Sequence, residues 1–183
     1  CKMTEYNLQE IDAIAVSAGP GSFTGLRIGS ATAKGLGLAL DKPLIHIPTV
    51  EAMAYNFFDT DKYIVPIMDA RRSQVYTGIY ENVNGEVKVV MEQCLTTIGE
   101  LLRKINELGH PVVFQGDGVP VFKEIIEQEL QVEVTFAPAS MNRQRAGAVA
   151  ELGKKYFAEG KIETAAQHAP NYLRASQAER ERE

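Results

Sequence analysis

The order of short apolar runs and longer helical segments in the second part of the chain restricts the folds that it can adopt. Three β-rich runs follow one another with short connections, and Asn84-Gly85 between the second and third is a strong hairpin-turn signal. Strand-like and helical segments alternate after them. The predicted segments are strands at 63–69, 75–80 and 86–91, a helix at 97–108, a strand at 111–115, a helix at 119–130, a strand at 132–136 and a helix at 142–157. The pattern predicts the element order βββαβαβα.

A shorter series of the same kind precedes it. Residues 12–18 form an apolar run that ends at a glycine, which is typical of a buried parallel strand. Residues 26–40 are predicted to form a helix that stops before Pro43, followed by a strand at 44–47 and a helix at 49–57. The order βαβα equals the second half of the later series, which indicates an internal repeat.

The repeat matches two tandem ribonuclease-H-like units, the α/β architecture of the actin, sugar kinase and Hsp70 group. The first unit would lack its opening βββα, and the chain starts at Cys1 instead of Met, so we expect a fragment or a trimmed product. We predict a first, N-terminally truncated subdomain at 1–58, a second ribonuclease-H-like subdomain at 59–160, and a C-terminal tail at 161–183 that packs back on the first. A single α/β domain without duplication is the alternative.

The composition restricts the classes of partner. The chain has 183 residues and a formal net charge of -5. Binding of a nucleic acid depends on Lys and Arg that neutralise its phosphates, so an acidic chain has no general attraction for one. Any RNA would be reached through a partner. Two cysteines, Cys1 and Cys94, do not make a disulfide framework, and no apolar run approaches the roughly 20 residues of a membrane span. We expect a reduced, cytoplasmic protein without membrane contact.

The glycine-rich loop GPGSFTG, residues 19–25, follows a predicted strand and opens a predicted helix. Backbone N–H groups at such a helix start can hold an anion. However, the loop lacks the Gly-Lys-Ser/Thr ending of a P-loop, and its third glycine comes one position late for the dinucleotide fingerprint. No acidic residue ends the next strand, where His46 and Ile47 lie. We interpret the loop as a structural turn rather than a phosphate site.

The helix that follows carries small residues four apart, at Gly25, Gly29, Ala33 and Gly37. Residues at this spacing lie on one ridge, and each interior glycine costs about 1 kcal/mol relative to alanine, so close packing has to offset that cost. Two interpretations stay open: the ridge packs on this chain's own sheet, or it receives a helix of another chain. Arg27 and Lys34 share one face and would flank such a partner contact.

Other candidates for chemistry are incomplete. No pair among the three histidines has the H-E-x-x-H spacing of a zinc peptidase, and no serine lies in a Gly-x-Ser-x-Gly elbow. These residues are His46, His110, His168, Ser17, Ser22, Ser73 and Ser140.

Two turns are weaker candidates. Asp69 ends a predicted strand before Arg71 and Arg72, and these arginines either pair locally with Asp69 or contact a partner or a phosphate. The segment Gly116, Asp117 and Gly118 lies between a strand and a helix, at a place that holds adenosine in sugar-kinase-like folds. It is either a weak nucleotide site or a turn in which Asp117 caps the helix.

Three segments resemble the signatures of the TsaB/YeaZ family. They are AVSAGPGSFTGLRIGSATAKGLGLAL at 15–40, MDARRSQVYTGIY at 68–80 and PNYLR at 170–174. Their order and spacing fit the family from about residue 11 to 174, which is nearly the whole chain. The family's opening strands, with their Asp-Thr-Ser turn, are absent from this sequence.

The resemblance implies tandem ribonuclease-H-like subdomains and a non-catalytic scaffold. It implies that the catalytic paralogue TsaD and the small ATPase TsaE are partners in forming N6-threonylcarbamoyladenosine in tRNA, next to the anticodon. The chain would contact tRNA only through the complex and would need no cofactor, since ATP and metal belong to the partners. In the family the partner contact is a helix bundle that includes the helix at 26–40, which favours the partner interpretation of the glycine ridge. A homodimer through the same face is expected when TsaD is missing.

The resemblance also indicates why this chain would not be the catalyst. Catalytic paralogues carry a His-x-Glu-x-His metal motif after a Lys-Pro-Leu-Ile-type strand, and here Thr49, Glu51 and Met53 occupy the three positions. Thr and Met are poor ligands for a hard metal ion. The alternatives from other classes are a nucleotide-binding enzyme of the sugar-kinase-like group and a glycoprotease-type peptidase.

Overall fold

The structure is a computed structural model that describes residues 7–173, which divide into two compact units. Unit 1 consists of 7–49 and 149–173, and unit 2 of Val50–Ala148. The elements in chain order are β1 (Ile14–Gly19), α1 (Phe23–Leu40), β2 (Leu44–Pro48), α2 (Thr49–Ala54), β3 (Tyr63–Asp69), β4 (Gln74–Val83), β5 (Glu86–Thr97), α3 (Ile98–Leu108), β6 (Val112–Gln115), α4 (Val119–Glu129), β7 (Val134–Phe136) and α5 (Ala146–Ala158), with 3₁₀ turns at Leu8–Glu10 and Ala139–Met141.

Unit 2 contains a five-stranded sheet with the strand order β5-β4-β3-β6-β7. The first three strands in the chain, β3, β4 and β5, pair antiparallel, while β6 and β7 add to β3 in parallel. Parallel neighbours need crossover connections, and α3 and α4 lie in the two connections that lead to β6 and β7. The predicted order βββαβαβα is confirmed.

The core of unit 2 lies on both faces of this sheet. On one face, strand residues such as Ile67 and Phe114 pack with the apolar sides of α3 and α4. On the other face, Ile64, Tyr80 and Val113 pack with Val50, Met53 and Ala54, which belong to α2. Burial on both faces explains why β3 is almost continuously apolar, as central strands of such sheets usually are.

A capping box begins α3. The Thr97 hydroxyl accepts from the Glu100 N–H at 3.3 Å, and the Glu100 carboxylate accepts from the Thr97 N–H at 3.1 Å. The hydroxyls of Thr96 and Thr97 donate to the same carboxylate oxygen at 2.8 and 2.9 Å. These hydrogen bonds, led by that of Thr96, lower the pKa of Glu100 from its ordinary 4.5 to about 2 because they favour the ionised form.

The lowered pKa predicts a pH-dependent stability. A carboxylate with a depressed folded-state pKa stabilises the fold above its unfolded pKa of 4.5, and this contribution disappears as the pH falls towards about 2. The wild-type chain should therefore be more stable than Glu100→Gln at about pH 6, and the difference should shrink at about pH 3. Urea unfolding of both proteins at the two pH values measures this. A difference that does not change with pH would contradict the assignment.

Unit 1 is built on two parallel strands. Residues Ile14, Val16 and Ser17 of β1 are in register with Leu44, His46 and Ile47 of β2, and α1 connects the two strands. The core contains Val16, Ala33, Leu44 and Ala165.

The segment 163–171 returns to these strands. Glu163 and Leu44 exchange two backbone hydrogen bonds of 2.9 Å, and the Asn171 N–H donates to the Ala18 carbonyl at 2.7 Å. Helix α5 packs on the same sheet, since a Cβ at Gly153 would lie only 2.8 Å from the Ala15 Cβ. Unit 1 is therefore assembled from two distant parts of the sequence.

Several boundaries differ from the predicted ones. Helix α1 begins at Phe23 instead of 26, because the Ser22 hydroxyl accepts from the Gly25 N–H at 3.4 Å and acts as its N-cap. Helix α5 begins at Ala146 instead of 142, since the Asn142 side chain accepts from the Gly116 N–H. The units divide near residues 49 and 148, whereas the sequence suggested 58 and 160, because α2 contributes to the core of unit 2 and α5 packs on β1.

No helix within residues 7–173 is long and apolar enough to cross a membrane.

Candidate functional site

Helix α1 presents two different faces. Leu26, Ser30, Ala33 and Gly37 are buried. The opposite face carries Ile28 and Leu38, which are 63% and 74% exposed. Its other exposed residues are Thr24, Ala31, Thr32, Gly35, Leu36 and Ala39. We call these eight residues the outer face of α1; none of them is charged.

The predicted glycine ridge lies mainly on the inner side. A Cβ at Gly37 would be 2.5 Å from Leu44 Cδ1 and 3.1 Å from the Lys42 carbonyl, and Ala33 is buried in the same core. Packing on this chain's own strands, one of the two interpretations left open, accounts for Ala33 and Gly37. Because this chain's own strands cover Ala33 and Gly37, a partner contact at these two positions stays a prediction.

The remaining residues of the predicted partner surface differ in their exposure and in their contacts within the chain. Gly25 and Arg27 are exposed, and Gly29 is half-buried, where a Cβ would lie 4.0 Å from Val16 Cγ2. The Arg27 guanidinium lies 4.1 Å from the centre of the Phe23 ring. The Lys34 ammonium, in contrast, donates to the His168 carbonyl at 2.9 Å and thus serves the fold of unit 1.

The glycine-rich loop is packed against the returning segment. Gly19 has a φ of 129°, and a Cβ there would collide with the Asn171 carbonyl, so only glycine fits this approach. The Phe23 ring after the loop packs against Tyr172 with the ring centres 5.2 Å apart. The loop therefore has the structural role that the sequence favoured.

A cluster of titratable side chains lies at the inner, buried side of α1 in unit 1. His168 donates from Nδ1 to Glu163 Oε1 at 2.5 Å, and its Nε2 lies 2.5 Å from the Ser30 hydroxyl. His46 Nδ1 lies 3.8 Å from the same carboxylate oxygen. Burial lowers the pKa of His46; the Glu163 charge opposes that shift and His168 adds to it. We call these four residues the His46 cluster.

Part of the His46 cluster has the order of a hydrolase triad, serine hydroxyl to imidazole to carboxylate. Ser30 is buried, however, and it lies in the middle of α1 on the inner side instead of at a strand–helix turn. A hydroxyl in this position cannot reach a peptide carbonyl. The arrangement therefore gives no support to the peptidase alternative.

The turn after β3 in unit 2 contains a local ion pair. Arg71 donates from its backbone N–H and from Nη1 to the Asp69 carboxylate, at 2.8 and 3.0 Å. Arg71, Arg72 and Ser73 all have positive φ, between 54° and 65°. Local pairing, the interpretation that the sequence favoured, is present for Arg71; a partner or phosphate contact of Arg71 and Arg72 stays a prediction.

The turn at Gly116, Asp117 and Gly118 closes against β3. Gly116 has a φ of 112°, and a Cβ there would collide with the Ile67 carbonyl, while the Gly118 N–H donates to that carbonyl at 3.1 Å. Asp117 Oδ1 accepts from the Asp69 N–H at 3.2 Å. The suggestion that Asp117 caps α4 is wrong, because Gly118 is the N-cap and no side chain caps this helix. A nucleotide site at this turn stays a prediction.

Comparisons with known proteins agree with this architecture. A family model described as "TsaD: tRNA N6-adenosine threonylcarbamoyltransferase" matches residues 1–182. Among solved structures, the chain is similar to an uncharacterized protein with similarity to peptidase YEAZ from Pseudomonas aeruginosa. The TM-score is 0.77 and the identity 25%, over 92% of this chain and 76% of that one.

The curated relatives decide the family. A Bacillus subtilis (strain 168) protein named tRNA threonylcarbamoyladenosine biosynthesis protein TsaB is 36% identical over 173 residues, which cover 93% of this chain and 73% of the relative. A protein of the same name from Haemophilus influenzae is 29% identical over 184 residues, 91% of this chain and 72% of the relative. The chain belongs to the TsaB/YeaZ family.

The TsaB/YeaZ membership confirms the family that the three signature segments indicated, and the α/β fold of the actin, sugar kinase and Hsp70 type. Thr49 and Met53, which the resemblance aligned with metal-ligand positions, make contacts inside their own units. Thr49 Oγ1 lies 2.9 Å from the Ser17 hydroxyl in unit 1. In unit 2 the Met53 sulfur is 3.7 Å from Gln144 Nε2.

Sequence reasoning missed the His46 cluster in this TsaB/YeaZ chain. The histidines have no metal-site spacing in the sequence, and Ser30 and His168, which are 138 residues apart, meet through tertiary contacts such as the backbone pairing of Leu44 with Glu163. The short interval from Glu163 to His168 was the one local signal, and alone it is too common to indicate a site.

Proposed function

We propose that this chain is a non-catalytic subunit of the machinery that forms N6-threonylcarbamoyladenosine in tRNA next to the anticodon. It acts by docking onto the catalytic paralogue TsaD through the outer face of α1. The relatives named TsaB support the pathway. The exposed, uncharged outer face of α1 is the observation that supports the docking.

The outer face of α1 differs from an ordinary surface helix. Such helices normally turn charged and polar side chains to water and their apolar stripe to the core. Here Ile28, Leu36 and Leu38 are exposed although the inner side is already packed. Each fully buried aliphatic side chain contributes about 1.5–3 kcal/mol. A partner that covers these three residues therefore gains a substantial apolar contribution.

The shape of the outer face suits another helix. Ala31, Gly35 and Ala39 follow one another at intervals of four residues, so they form a ridge of small side chains. A Cβ at Gly35 would have no neighbouring heavy atom of the described chain within 4 Å. A partner helix can therefore approach this ridge closely. We expect an interaxial distance near the lower end of the range of about 8–10 Å that packed helices show. This outer ridge replaces Ala33 and Gly37 in the docking proposal.

Arg27 is an exposed, charged residue of α1 at the border of the outer face. Its guanidinium is held over Phe23, whereas Lys34 donates to the His168 carbonyl. An acidic side chain of TsaD beside Arg27 would help to orient the two proteins but would add little to their affinity, as charges at the rim of an interface generally do.

The same proposal assigns the chemistry to the partners. Thr49 and Met53 replace the two metal histidines, so ATP, metal and the transfer step belong to TsaD and TsaE. The net charge of -5 supports contact with tRNA only through the complex. Without TsaD, a homodimer through the outer face of α1 is expected, because the same apolar residues then remain exposed.

Size-exclusion chromatography with light scattering tests the docking. The chain is mixed with TsaD from the same organism, and we expect one peak with the summed mass of the two proteins. The chain alone should elute as a homodimer that TsaD dissociates. Separate peaks of chain and TsaD would reject the docking proposal, whereas heat from ATP and magnesium in calorimetry of the chain alone would favour the nucleotide-binding alternative.

A further inference from the structure

The His46 cluster offers metal ligands that the docking proposal does not use. His46, Glu163 and His168 each present one ligand atom, and these atoms all lie within 4.8 Å of one another. His168 is 1% exposed, and the side chains of Glu163 and His46 are 24% and 34% exposed. Two imidazoles and one carboxylate thus converge at the edge of unit 1, with one side accessible to water.

We propose that His46, Glu163 and His168 bind one divalent transition-metal ion of the Zn²⁺ type. Two histidines and a glutamate are an established donor set for zinc, which leaves a fourth position for water. Imidazole suits Zn²⁺ better than Mg²⁺ or Ca²⁺, which prefer oxygen ligands. One carboxylate and two neutral imidazoles leave a net positive charge at the ion, so a water ligand on the exposed side completes the site without a further protein group.

The separations of the ligand atoms suit such an ion. Zinc bonds of 2.0–2.2 Å in a tetrahedron place neighbouring ligand atoms about 3.3 Å apart. The observed distances from Glu163 Oε1 are 2.5 Å to His168 Nδ1 and 3.8 Å to His46 Nδ1, one on each side of that value. Side-chain shifts of less than about 1 Å bring both to the metal-bound distance.

A buried hydrogen bond orients the His168 ring. Metal-binding histidines usually engage their second ring nitrogen with a fixed partner, and Ser30 Oγ lies 2.5 Å from His168 Nε2. A serine hydroxyl can donate or accept. It therefore holds the ring both when Nδ1 carries the proton, as in the hydrogen bond to Glu163, and when the proton has moved to Nε2 and Nδ1 binds the ion.

The backbone also holds the ligands in place. Glu163 is fixed by its two hydrogen bonds with Leu44, which lies two residues from His46 on β2. The His168 backbone receives Lys34 Nζ at its carbonyl and donates its N–H to Thr164, at 2.9 and 3.1 Å. Supporting contacts of this kind pre-organise a ligand set. A bound ion would thus tie the segment 163–168 to β2.

Zinc titration of the metal-free full chain tests the proposal. The Cys1→Ser, Cys94→Ser background removes the thiols as alternative ligands, and calorimetry gives stoichiometry and affinity. We expect one equivalent of Zn²⁺, at least about a tenfold loss of affinity in His46→Ala, and about a tenfold loss in Ser30→Ala. Zinc should also raise the melting temperature of the parent protein more than that of His46→Ala at the same zinc concentration.

His110→Ala is the matched control, because His110 lies in unit 2 and stacks on Tyr63 with the ring centres 4.2 Å apart. It should bind Zn²⁺ like the parent. His46→Ala is the decisive variant, since its side chain is partly exposed and its loss leaves the buried Ser30–His168 contact intact. No binding by the parent, or equal binding by parent and His46→Ala, would overturn the metal site and leave a hydrogen-bond network only. Neither result depends on TsaD.

Discussion

Replacing Ile28 by glutamate is expected to prevent the chain from binding TsaD while its fold stays intact. Ile28 is 63% exposed and lies on the outer face of α1, next to Ala31 and Thr32. A glutamate there would become an unpaired charge in an apolar contact, which costs several kcal/mol. We expect affinity to fall at least about a hundredfold, or about 2.8 kcal/mol. Light scattering of the mixture should then show two separate proteins.

Val121→Glu is the matched control for this variant. The side chain of Val121 is 58% exposed, which is similar to the 63% of Ile28, but Val121 belongs to α4 of unit 2. It makes the same chemical change on a helix surface to which no docking role is assigned, so Val121→Glu should bind TsaD like the wild type. Both variants should keep the wild-type urea midpoint, because exposed substitutions usually stay within about 0.5 kcal/mol. Retained binding by Ile28→Glu would show that TsaD docks elsewhere.

The largest expected effect on stability belongs to Gly116→Ala. The new methyl group would meet the Ile67 carbonyl, which is a backbone atom in the middle of the sheet and cannot rotate away. The φ of 112° is also one that alanine rarely adopts, which by itself costs about 1–3 kcal/mol. Adding the cost of overpacking, about 1–3 kcal/mol, we expect a loss of about 2–6 kcal/mol in the free energy of unfolding.

Gly99→Ala controls for the loss of a glycine. Gly99 lies in the first turn of α3, has no positive φ, and a Cβ there would have no neighbouring heavy atom of the described residues within 4 Å. Alanine is the better helix former by about 1 kcal/mol, so this variant should be as stable as the wild type or more stable. Chemical denaturation of the two variants gives the comparison. Similar denaturation midpoints for the two variants would show that the backbone at Gly116 shifts to accommodate a methyl group, contrary to our prediction.

The sheet of unit 2 could be predicted because the local sequence signals of its turns, strands and helices agree with the fold that forms. The Asn84-Gly85 turn and the three β-rich runs define a meander, and Ile98, Leu101, Leu102 and Ile105 give α3 a single apolar side. Helix α1 lacks such asymmetry. Glycine, alanine and leucine occur all around it, so a four-residue spacing alone could not distinguish the ridge at Ala33 and Gly37 from the opposite ridge at Gly35.

The His46 cluster could not be predicted for a different reason. Its members come from a helix, a strand and an irregular segment, and each is an ordinary residue in its local sequence. They meet because the Glu163 backbone pairs with Leu44, a contact that depends on tertiary structure. Helix starts were misplaced by a similar effect at α5, where the Asn142 side chain is engaged by the Gly116 backbone instead of beginning a turn of helix.

The assembly of unit 1 from distant segments determines when it can fold during synthesis. Unit 2 is one continuous stretch, Val50–Ala148, so its residues emerge from the ribosome together and can fold as they appear. In unit 1, β1, α1 and β2 cannot complete their packing until residues 163–171 have been translated, because contacts such as Ser30–His168 span 138 residues. Closing such long loops slows folding. We therefore expect the inner side of α1 to be exposed to chaperones throughout the translation of unit 2, and α1 to reach its final position last.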